Sequence, residues 1–276
     1  MTRIVVITHA YDDFRTRKFL LGSFAAHWMA AGHDVCVAAG LEDWPQADIA
    51  VLHVDLSVVP AAYLEACARY PVVVNVAATD IRKRHISRNL VSANDAWAGP
   101  VIIKTDLNCR GMPEVRAVDG FHRDGIPPDL PPQPIVSTLQ PYPILSSARE
   151  VPDAVWRNEG LVVERFQPER DERGYWMRVW LFLGDRERCT RFCASDPIVK
   201  SAGIFAREPA GVPDDLRAER ERLGFDYGKF DFVVVNGKAV LLDANRTPSA
   251  PPASAGLEAS NAEIARGIHA LLRRTR

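Results

Sequence analysis

The sequence predicts a protein of the α/β class with α+β character in parts. Over the first 78 residues, short apolar runs that read as strands alternate with segments that read as helices. Several of these strands are continuous Val/Ile runs, which are typical of a small parallel sheet covered by helices. Near the C-terminus, Asn236-Gly237 joins two apolar runs, the strongest short hairpin signal. We therefore expect a parallel sheet first and antiparallel pairing last.

Residues 1–78 are predicted to form a small α/β domain. Strands are expected at 4–7, 34–39, 48–53 and 72–76, and helices at 14–31 and 60–70. Gly32 directly follows the first helix, as is usual at a helix C-cap. Because no Gly-x-Gly-x-x-Gly follows the first strand, a dinucleotide-binding fold is disfavoured.

The rest of the chain divides into a central segment, residues 79–163, and a last segment, residues 164–276. In the central segment we expect a basic helix at 81–91, strands at 100–104 and 161–164, a loop at 105–113 and an irregular Pro/Gly/Asp-rich stretch at 119–134. In the last segment we expect strands at 176–183 and 188–194, helices at 214–223 and 258–274, and the hairpin around 231–245.

Composition and charge exclude several classes of protein. Hydrophobic residues make up 47% and charged residues 25% of the 276 positions, as in an ordinary globular protein. The net charge of −1 argues against a general nucleic-acid binder, although Arg82-Lys83-Arg84 is a local basic cluster. No apolar run approaches the roughly 20 residues of a membrane span. The N-terminus lacks signal-peptide form, and the five cysteines show no zinc-like pairing, so we expect a cytoplasmic protein with reduced thiols.

Acidic and amide side chains flank the predicted hairpin. Residues two apart on a strand share a face, so Asp243 and Asn245 point the same way. Asp231 lies about as far before the turn as Asp243 lies after it, so antiparallel pairing brings the two carboxylates together. An all-oxygen set of this kind suits Mg²⁺ carrying phosphate. The alternative is that these residues are solvated strand ends.

Several cations could bind an anionic ligand, and each also has an ordinary structural interpretation. Lys104 ends an apolar strand, from which it could reach a phosphate covered by the N–H groups of the Gly111 loop, or it could serve solubility. Arg178 lies inside an apolar run, where its partner is either a phosphate or a structural carboxylate. Lys229 shares a strand face with Asp231, and Arg246 follows Asn245 directly. Lys200 is more typical of a surface lysine.

The segment Glu164-Arg165-Phe166 joins the central and last segments. It follows the apolar strand 161–163 and could offer main-chain N–H and C=O groups to an adenine edge, with Phe166 packing nearby. A hinge and a plain connector are equally compatible with these residues.

Taken in order, these motifs resemble the ATP-grasp superfamily over nearly the whole chain. Val101-Ile102-Ile103-Lys104 is similar to its nucleotide-lysine strand, and Val162 to Phe166 to its adenine hinge. Tyr175 to Val179 is similar to its arginine strand, and Asp231 with Asp243-Ala244-Asn245 to its magnesium triad. The resemblance implies a pre-ATP-grasp α/β domain at 1–78, a central lid subdomain at 79–163 and a C-terminal antiparallel-sheet subdomain at 164–276.

The resemblance also implies ATP and Mg²⁺ as cofactors and a carboxylate–amine ligase as the activity. Nucleotide-binding roles fall on Lys104, Gly111, Glu164, Arg165, Phe166, Arg178 and Lys200, catalytic roles on Arg178, Lys229 and Arg246, and metal-binding roles on Asp231, Asp243 and Asn245. The chain departs from the family pattern in three ways. Asp243 stands where Glu is usual, the loop has the single glycine Gly111, and Lys83 is the nearest match to a second nucleotide lysine.

In the mechanism that the resemblance implies, a substrate carboxylate attacks the γ-phosphate and an amine then displaces phosphate from the acylphosphate. The partners are thus a small carboxylate and a small amine, without nucleic acid or membrane, and a homo-oligomer is left open. One alternative is an ATP-grasp phosphotransferase that acts on a hydroxyl. Another is a nucleotide-binding protein without turnover.

Overall fold

A computed structural model of the chain describes residues 1–130, 134–136, 139, 141–251 and 254–273. The strands of this described part form three sheets, one in each of the segments expected from the sequence. The predicted mixture of one parallel and later antiparallel sheets is confirmed. Among the described residues, no helix combines the length and apolar character needed to cross a bilayer.

The first sheet is parallel and has the strand order β2-β1-β3-β4. Its elements are β1 (Arg3–Thr8), α1 (Leu20–Ala30), β2 (Asp34–Ala39), β3 (Ile49–Leu52), α2 (Ala61–Cys67) and β4 (Val73–Val74). The helix predicted from residue 14 begins only at Leu20. Phe19 forms a bridge with Ser249, and the Leu20 N–H donates to Pro248 O, so a distant segment holds this end extended.

The central segment contains an antiparallel sheet of order β6-β5-β7. Its elements are α3 (Lys83–Ile86), β5 (Val101–Thr105), α4 (Met112–Arg123), β6 (Ile144–Leu145), α5 (Asp153–Trp156) and β7 (Leu161–Arg165). The predicted helix 81–91 is only one turn long, because Leu90 pairs with Glu164 in a bridge. The irregular stretch expected from residue 119 is helical as far as Arg123, and its residues 131–133 lie outside the described part.

The last segment forms a six-stranded antiparallel sheet of order β11-β10-β9-β12-β13, with β8 paired to β9. The elements are β8 (Glu169–Asp171), β9 (Gly174–Leu183), β10 (Arg186–Ala194), β11 (Ile204–Pro209), α6 (Asp214–Arg222), β12 (Tyr227–Val235), β13 (Lys238–Asn245), α7 (Ala255–Ala265) and α8 (Ile268–Leu272). The predicted hairpin is confirmed, and Asn236 and Gly237 take left-handed φ values of 52° and 76°.

The single C-terminal helix predicted at 258–274 is interrupted after Ala265. A Cβ atom on Gly267 would lie 1.8 Å from the carbonyl oxygen of Leu183, so the chain here touches the backbone of β9. The helix therefore breaks into α7 and α8 where it meets the sheet.

One apolar core joins the first and last segments. It contains α1 residues such as Phe24, the β9 residue Leu183, Tyr227 of β12 and the α7 residue Ile264, all buried. A second core lies on the other face of the first sheet, around Tyr63 of α2. Because the first and last sheets share a core, residues that follow β1 and β3 lie close to the end of β13.

Candidate active site

A cleft of about 180 Å³ lies between the central sheet and the last sheet. It is lined by six residues that the sequence assigned to nucleotide or metal binding, namely Lys104, Glu164, Arg165, Phe166, Asp231 and Asp243. These residues come from β5, β7, β12 and β13, and from the connection that follows β7. The structure therefore brings together residues that are spread over about half of the chain.

The walls of this cleft are mostly apolar. They are formed by Ile102, Met177, Ile198, Val199, Val240 and Leu242. Polar side chains at Asn89, Tyr142 and Gln167 also line it. A mostly apolar cleft with a few convergent polar groups is the usual form of a small-molecule site. Asn89, Tyr142 and Gln167 were not identified from the sequence, where no local pattern distinguishes them from surface residues.

Lys104 and Glu164 form a buried ion pair at one end of the cleft. Lys104 Nζ donates to Glu164 Oε2 at 2.7 Å and to the carbonyl oxygen of Leu242 at 3.4 Å. The two residues lie on the neighbouring strands β5 and β7. Lys104 pairs with Val162 and Ile102 pairs with Glu164, so Lys104 and Glu164 are diagonal neighbours in the sheet. Glu164 Oε1 is buried and has no hydrogen-bond partner among the described residues. The pair therefore retains acceptor capacity for a ligand.

The hinge after β7 is held by Asn89. The side-chain amide of Asn89 donates to Arg165 O at 2.6 Å, and Arg165 N–H donates to Asn89 O at 2.9 Å. The N–H of Phe166 donates to Pro100 O at 2.8 Å. These main-chain groups are therefore occupied. The next main-chain groups along the cleft are Phe166 C=O and Gln167 N–H.

The two hairpin carboxylates are direct neighbours. Asp231 pairs with Asp243 across β12 and β13, and Lys229 pairs with Asn245, which confirms the proximity expected from the sequence. Asp231 Oδ2 accepts from Lys229 Nζ at 3.0 Å. Asp243 Oδ1 accepts from Lys83 Nζ at 2.6 Å. Two carboxylates thus share a sheet face with two ammonium groups.

Burial and neighbouring charge act in opposite directions on these groups. Burial raises the pKa of Asp231 above its ordinary value, even though the Lys229 ammonium favours the charged form. For Asp243, burial alone would raise the pKa, but the ammonium groups of Lys83 and Lys229 outweigh it and lower the pKa. The same attraction raises the pKa of Lys83 despite burial. At neutral pH the Lys83–Asp243 pair is therefore charged.

The hairpin offers an oxygen-only donor set for a divalent cation. Asp231 Oδ1 is buried without a hydrogen-bond partner in the described part of the chain. Asn245 Oδ1 accepts from the N–H of Thr247 at 2.8 Å and faces the same side of the strand as Asp243. No group of three or more His, Cys, Asp and Glu residues suited to a metal occurs among the described residues, so the set depends on the amide of Asn245. Carboxylate and amide oxygens with an unfilled acceptor fit Mg²⁺.

Arg178 is not brought to the cleft. Its Nε and Nη2 bind both oxygens of Glu169, at 2.7 to 3.2 Å, and Glu169 Oε2 also accepts from Val234 N–H. The guanidinium is therefore bound through two of its nitrogens by a structural carboxylate. Of the two partners open from the sequence, the structure supports the structural one, and the triphosphate role expected for Arg178 is not supported.

Arg246 is fully buried, away from the position expected of a substrate clamp. Its Nη1 donates to Ala78 O at 2.6 Å and its Nη2 to Leu56 O, and burial lowers its pKa to about 10. It therefore ties the end of β13 to the first domain. The structure gives no support to the catalytic role expected for Arg246, since its two Nη groups are directed to backbone carbonyls.

The two remaining predicted residues, Lys200 and Gly111, do not line the cleft. Lys200 is exposed and follows the cleft residues 197–199, as the surface interpretation expected. Gly111 has φ of 74° and ends a turn in which Cys109 and Arg110 are also left-handed. This turn is anchored to the first domain because Asn108 N–H donates to Ser57 Oγ at 2.9 Å.

Comparison with solved structures identifies this architecture. The D-alanine–D-alanine ligase from Bacillus anthracis aligns over 100% of this chain and 99% of its own, with a TM-score of 0.51 and 12% identity. The structure of that enzyme complexed with ATP gives the same values. A RimK domain protein ATP-grasp from Sphaerobacter thermophilus aligns over 97% of this chain and 99% of its own, with a TM-score of 0.49 and 15% identity. No protein-family model and no curated protein matches the sequence.

The chain therefore has the ATP-grasp fold, which confirms the fold that the resemblance in the sequence implied. At 12% identity the likeness defines the fold and leaves the reaction to be argued from the site.

Proposed function

We propose that the protein is an ATP-dependent ligase that activates a carboxylate as an acylphosphate and transfers it to an amine. The observation that carries this proposal is the convergence of Lys104, the hinge at 164–167, and the Asp231–Asp243 pair on one cleft. The Bacillus anthracis enzyme that shares the fold is, by name, a ligase of D-alanine with D-alanine. The cleft chemistry and the fold thus favour the same class of reaction.

In this proposal the apolar walls hold the base of ATP and the charged end holds its phosphates. Ile102, Met177 and Val240 would contact the faces of the ring. Phe166 C=O and Gln167 N–H would meet its edge. Lys104 would contact a phosphate while it still donates to Glu164, because its ammonium group has three donors. Arg178 and Arg246 have no role in it.

Asp231, Asp243 and Asn245 are the residues proposed to hold Mg²⁺. Bound there, the ion would offset negative charge on the phosphates, as in other phosphoryl transfers. Lys83 and Lys229 lie next to the same carboxylates and would turn their ammonium groups toward the phosphates.

The reaction then depends on the positions of the reacting groups and on stabilisation of the negative charge that develops. The substrate carboxylate attacks the γ-phosphorus, the bond to the β-bridging oxygen breaks, and ADP leaves. The amine next attacks the acyl carbon and inorganic phosphate leaves, with the amine proton passing to solvent or phosphate. Lys229 is proposed to stabilise the negative charge that develops on the transferred group. Catalysis of this kind needs no protein nucleophile.

The test is release of ADP from ATP in a matrix of small carboxylates and small amines. A ligase releases ADP and phosphate only when an acid and an amine are both present. Release with a hydroxyl compound alone would identify a phosphotransferase, and nucleotide binding without release across the matrix would identify a non-catalytic binder. Asp231→Asn is expected to abolish release, and Asp214→Asn, an exposed carboxylate on α6, is the matched control.

A further inference from the structure

A second charged group lies at the carboxyl edge of the first sheet. Strands β1 and β3 end at Thr8 and Leu52, and the chain then supplies Arg17 and Asp55. Open α/β sheets bind ligands at the carboxyl ends of their strands. Neither the nucleotide cleft nor the proposed metal site accounts for these side chains.

Two arginines share one oxygen of Asp55. Arg17 Nη1 and Arg116 Nη2 both donate to Asp55 Oδ2, the latter at 3.0 Å. The side chains of Arg17 and Arg116 are 30% and 37% exposed, whereas that of Asp55 is 7% exposed. The acid therefore lies underneath and holds two guanidinium groups that face outward. The two guanidinium groups are therefore the exposed charged groups of this cluster.

The arginines of this cluster differ from Arg178 in how many of their nitrogens bind the carboxylate. Arg178 and Glu169 bind through two nitrogens and two oxygens, and their side chains are only 18% and 12% exposed. In the described contacts, Arg17 and Arg116 each give Asp55 a single nitrogen. A guanidinium has five donors in a fork that matches a carboxylate, so each arginine retains donors for an anion.

The arginine pair is connected to the proposed metal site. Asp55 Oδ1 accepts from Thr247 Oγ1, and Thr247 N–H donates to Asn245 Oδ1 at 2.8 Å. An acid whose reacting end lies at the hairpin can therefore extend toward Arg17 and Arg116.

We infer that Arg17 and Arg116 bind a second, non-reacting carboxylate of the acid substrate, so that the ligase acts on a dicarboxylate. This inference rests on the proposed function, because it names the class of acid that the same site activates. The buried Asp55 fixes the two arginines in place before the substrate arrives, which reduces the entropy lost on binding.

The test compares diacids with their monoamides, which have the same length and one carboxylate fewer. Succinate against succinamate and glutarate against glutaramate are titrated calorimetrically into the protein with saturating Mg²⁺ and ADP. In the wild-type protein we expect at least one diacid to bind about tenfold or more tightly than its monoamide, as charge-assisted hydrogen bonds would give. In Arg17→Met/Arg116→Met the two are expected to bind equally.

Two further variants make the result interpretable. Arg186→Met, which removes an exposed arginine paired with Asp185 and Glu263, is expected to leave the preference unchanged. Arg17→Lys/Arg116→Lys keeps the charge on Asp55 but not the fork, and is expected to reduce the preference without abolishing it. Affinity for Mg²⁺ and ADP reports that each variant is folded.

Two results would overturn the inference. One is that neither diacid is preferred by the wild-type protein, and the other is that the preference survives undiminished in the methionine or lysine double variants. Failure of the proposed function gives a different result. In that case the diacid preference depends on the arginines, yet no diacid and amine together release ADP.

Discussion

At the residue scale, the cleft is organised by three lysine–carboxylate pairs. Lys83 holds Asp243, Lys104 holds Glu164 and Lys229 holds Asp231, at 2.6, 2.7 and 3.0 Å. Each lysine is largely buried, and an unpaired charge there would be costly, so the carboxylates keep the cations in place until phosphates arrive. The pairs thus preorganise the site electrostatically.

The Lys83–Asp243 pair gives a prediction that separates stability from binding. Asp243→Asn leaves the Lys83 ammonium buried beside a neutral amide, and we expect the free energy of unfolding in urea to fall by about 2 kcal/mol. The further change Lys83→Met removes the unpaired charge and should restore most of that loss, without restoring Mg²⁺-dependent nucleotide binding. Simple addition of the two single-variant losses in the double variant would show that the two side chains are not coupled.

The local sequence predicted the positions of the acidic residues better than the partners of the arginines. The Asn236-Gly237 turn sets the hairpin register, so the approach of Asp231 and Asp243 follows from residues close to them in the chain. Arg178 and Arg246 also stand out in the sequence, but their acceptors come from tertiary structure. Glu169 precedes Arg178 by nine residues, and the carbonyls bound by Arg246 lie 168 and 190 residues away. No local pattern distinguishes such acceptors from a phosphate.

At the element scale, strands were predicted more accurately than helix ends. Apolar runs located β5, β7 and β13 to within a residue or two, because the residues of a buried strand are themselves apolar and adjacent in the sequence. Helix α4 was missed, although Pro113 and Glu114 in its first turn after Gly111 are helix-start signals. The break between α7 and α8 depends on contact with β9, which neither segment reveals alone.

The contact between Gly267 and β9 predicts opposite effects on stability for alanine substitutions at two glycines, Gly267 and Gly256. Gly267→Ala places a Cβ atom against Leu183 O and should lower the free energy of unfolding by about 3 kcal/mol. Gly256→Ala in α7 meets nothing within 4 Å and should raise it by up to about 1 kcal/mol, because alanine favours a helix. Equilibrium urea unfolding of both variants tests this pair. Equal stability of the two would show that α8 does not pack closely on β9.

At the scale of the whole molecule, the site needs all three segments. The central and last segments enclose the cleft, and the first segment supplies the Arg17–Arg116 edge. The shared core fixes their relation, and the fully buried Arg246 reinforces it, since it joins the end of β13 to Leu56 of the first segment. The order of the motifs allowed this architecture to be predicted from the sequence, whereas the contacts between segments were not local enough to predict.

His53 makes the stability of the assembled molecule sensitive to acid. It is fully buried, its ring nitrogens have no hydrogen-bond partner among the described residues, and burial lowers its pKa to about 4. Because the unfolded chain takes up this proton near pH 6.5 and the folded chain only near pH 4, stability is lost as the pH falls between these values.

We therefore expect His53→Leu to lose less stability than the wild-type protein when the pH falls from 7.5 to 5. The difference should be about 2 kcal/mol, from 1.36 kcal/mol per pH unit over the range in which the unfolded state alone is protonated. Urea unfolding of both proteins at the two pH values measures it. Exposed His85, changed to Leu, is the control and should keep the wild-type pH dependence. An unaltered pH dependence in His53→Leu would show that the buried imidazole titrates normally.

The most direct measurement is calorimetric titration of a non-hydrolysable ATP analogue with and without Mg²⁺. If the hairpin oxygens hold the metal that carries the phosphates, the wild-type protein binds the analogue about tenfold or more tightly with Mg²⁺ than without it. Asp231→Asn/Asp243→Asn then binds it with one low affinity, whether or not Mg²⁺ is present. Equal affinity of the wild-type protein in both conditions, or a metal dependence that persists in the double variant, would contradict the proposed site.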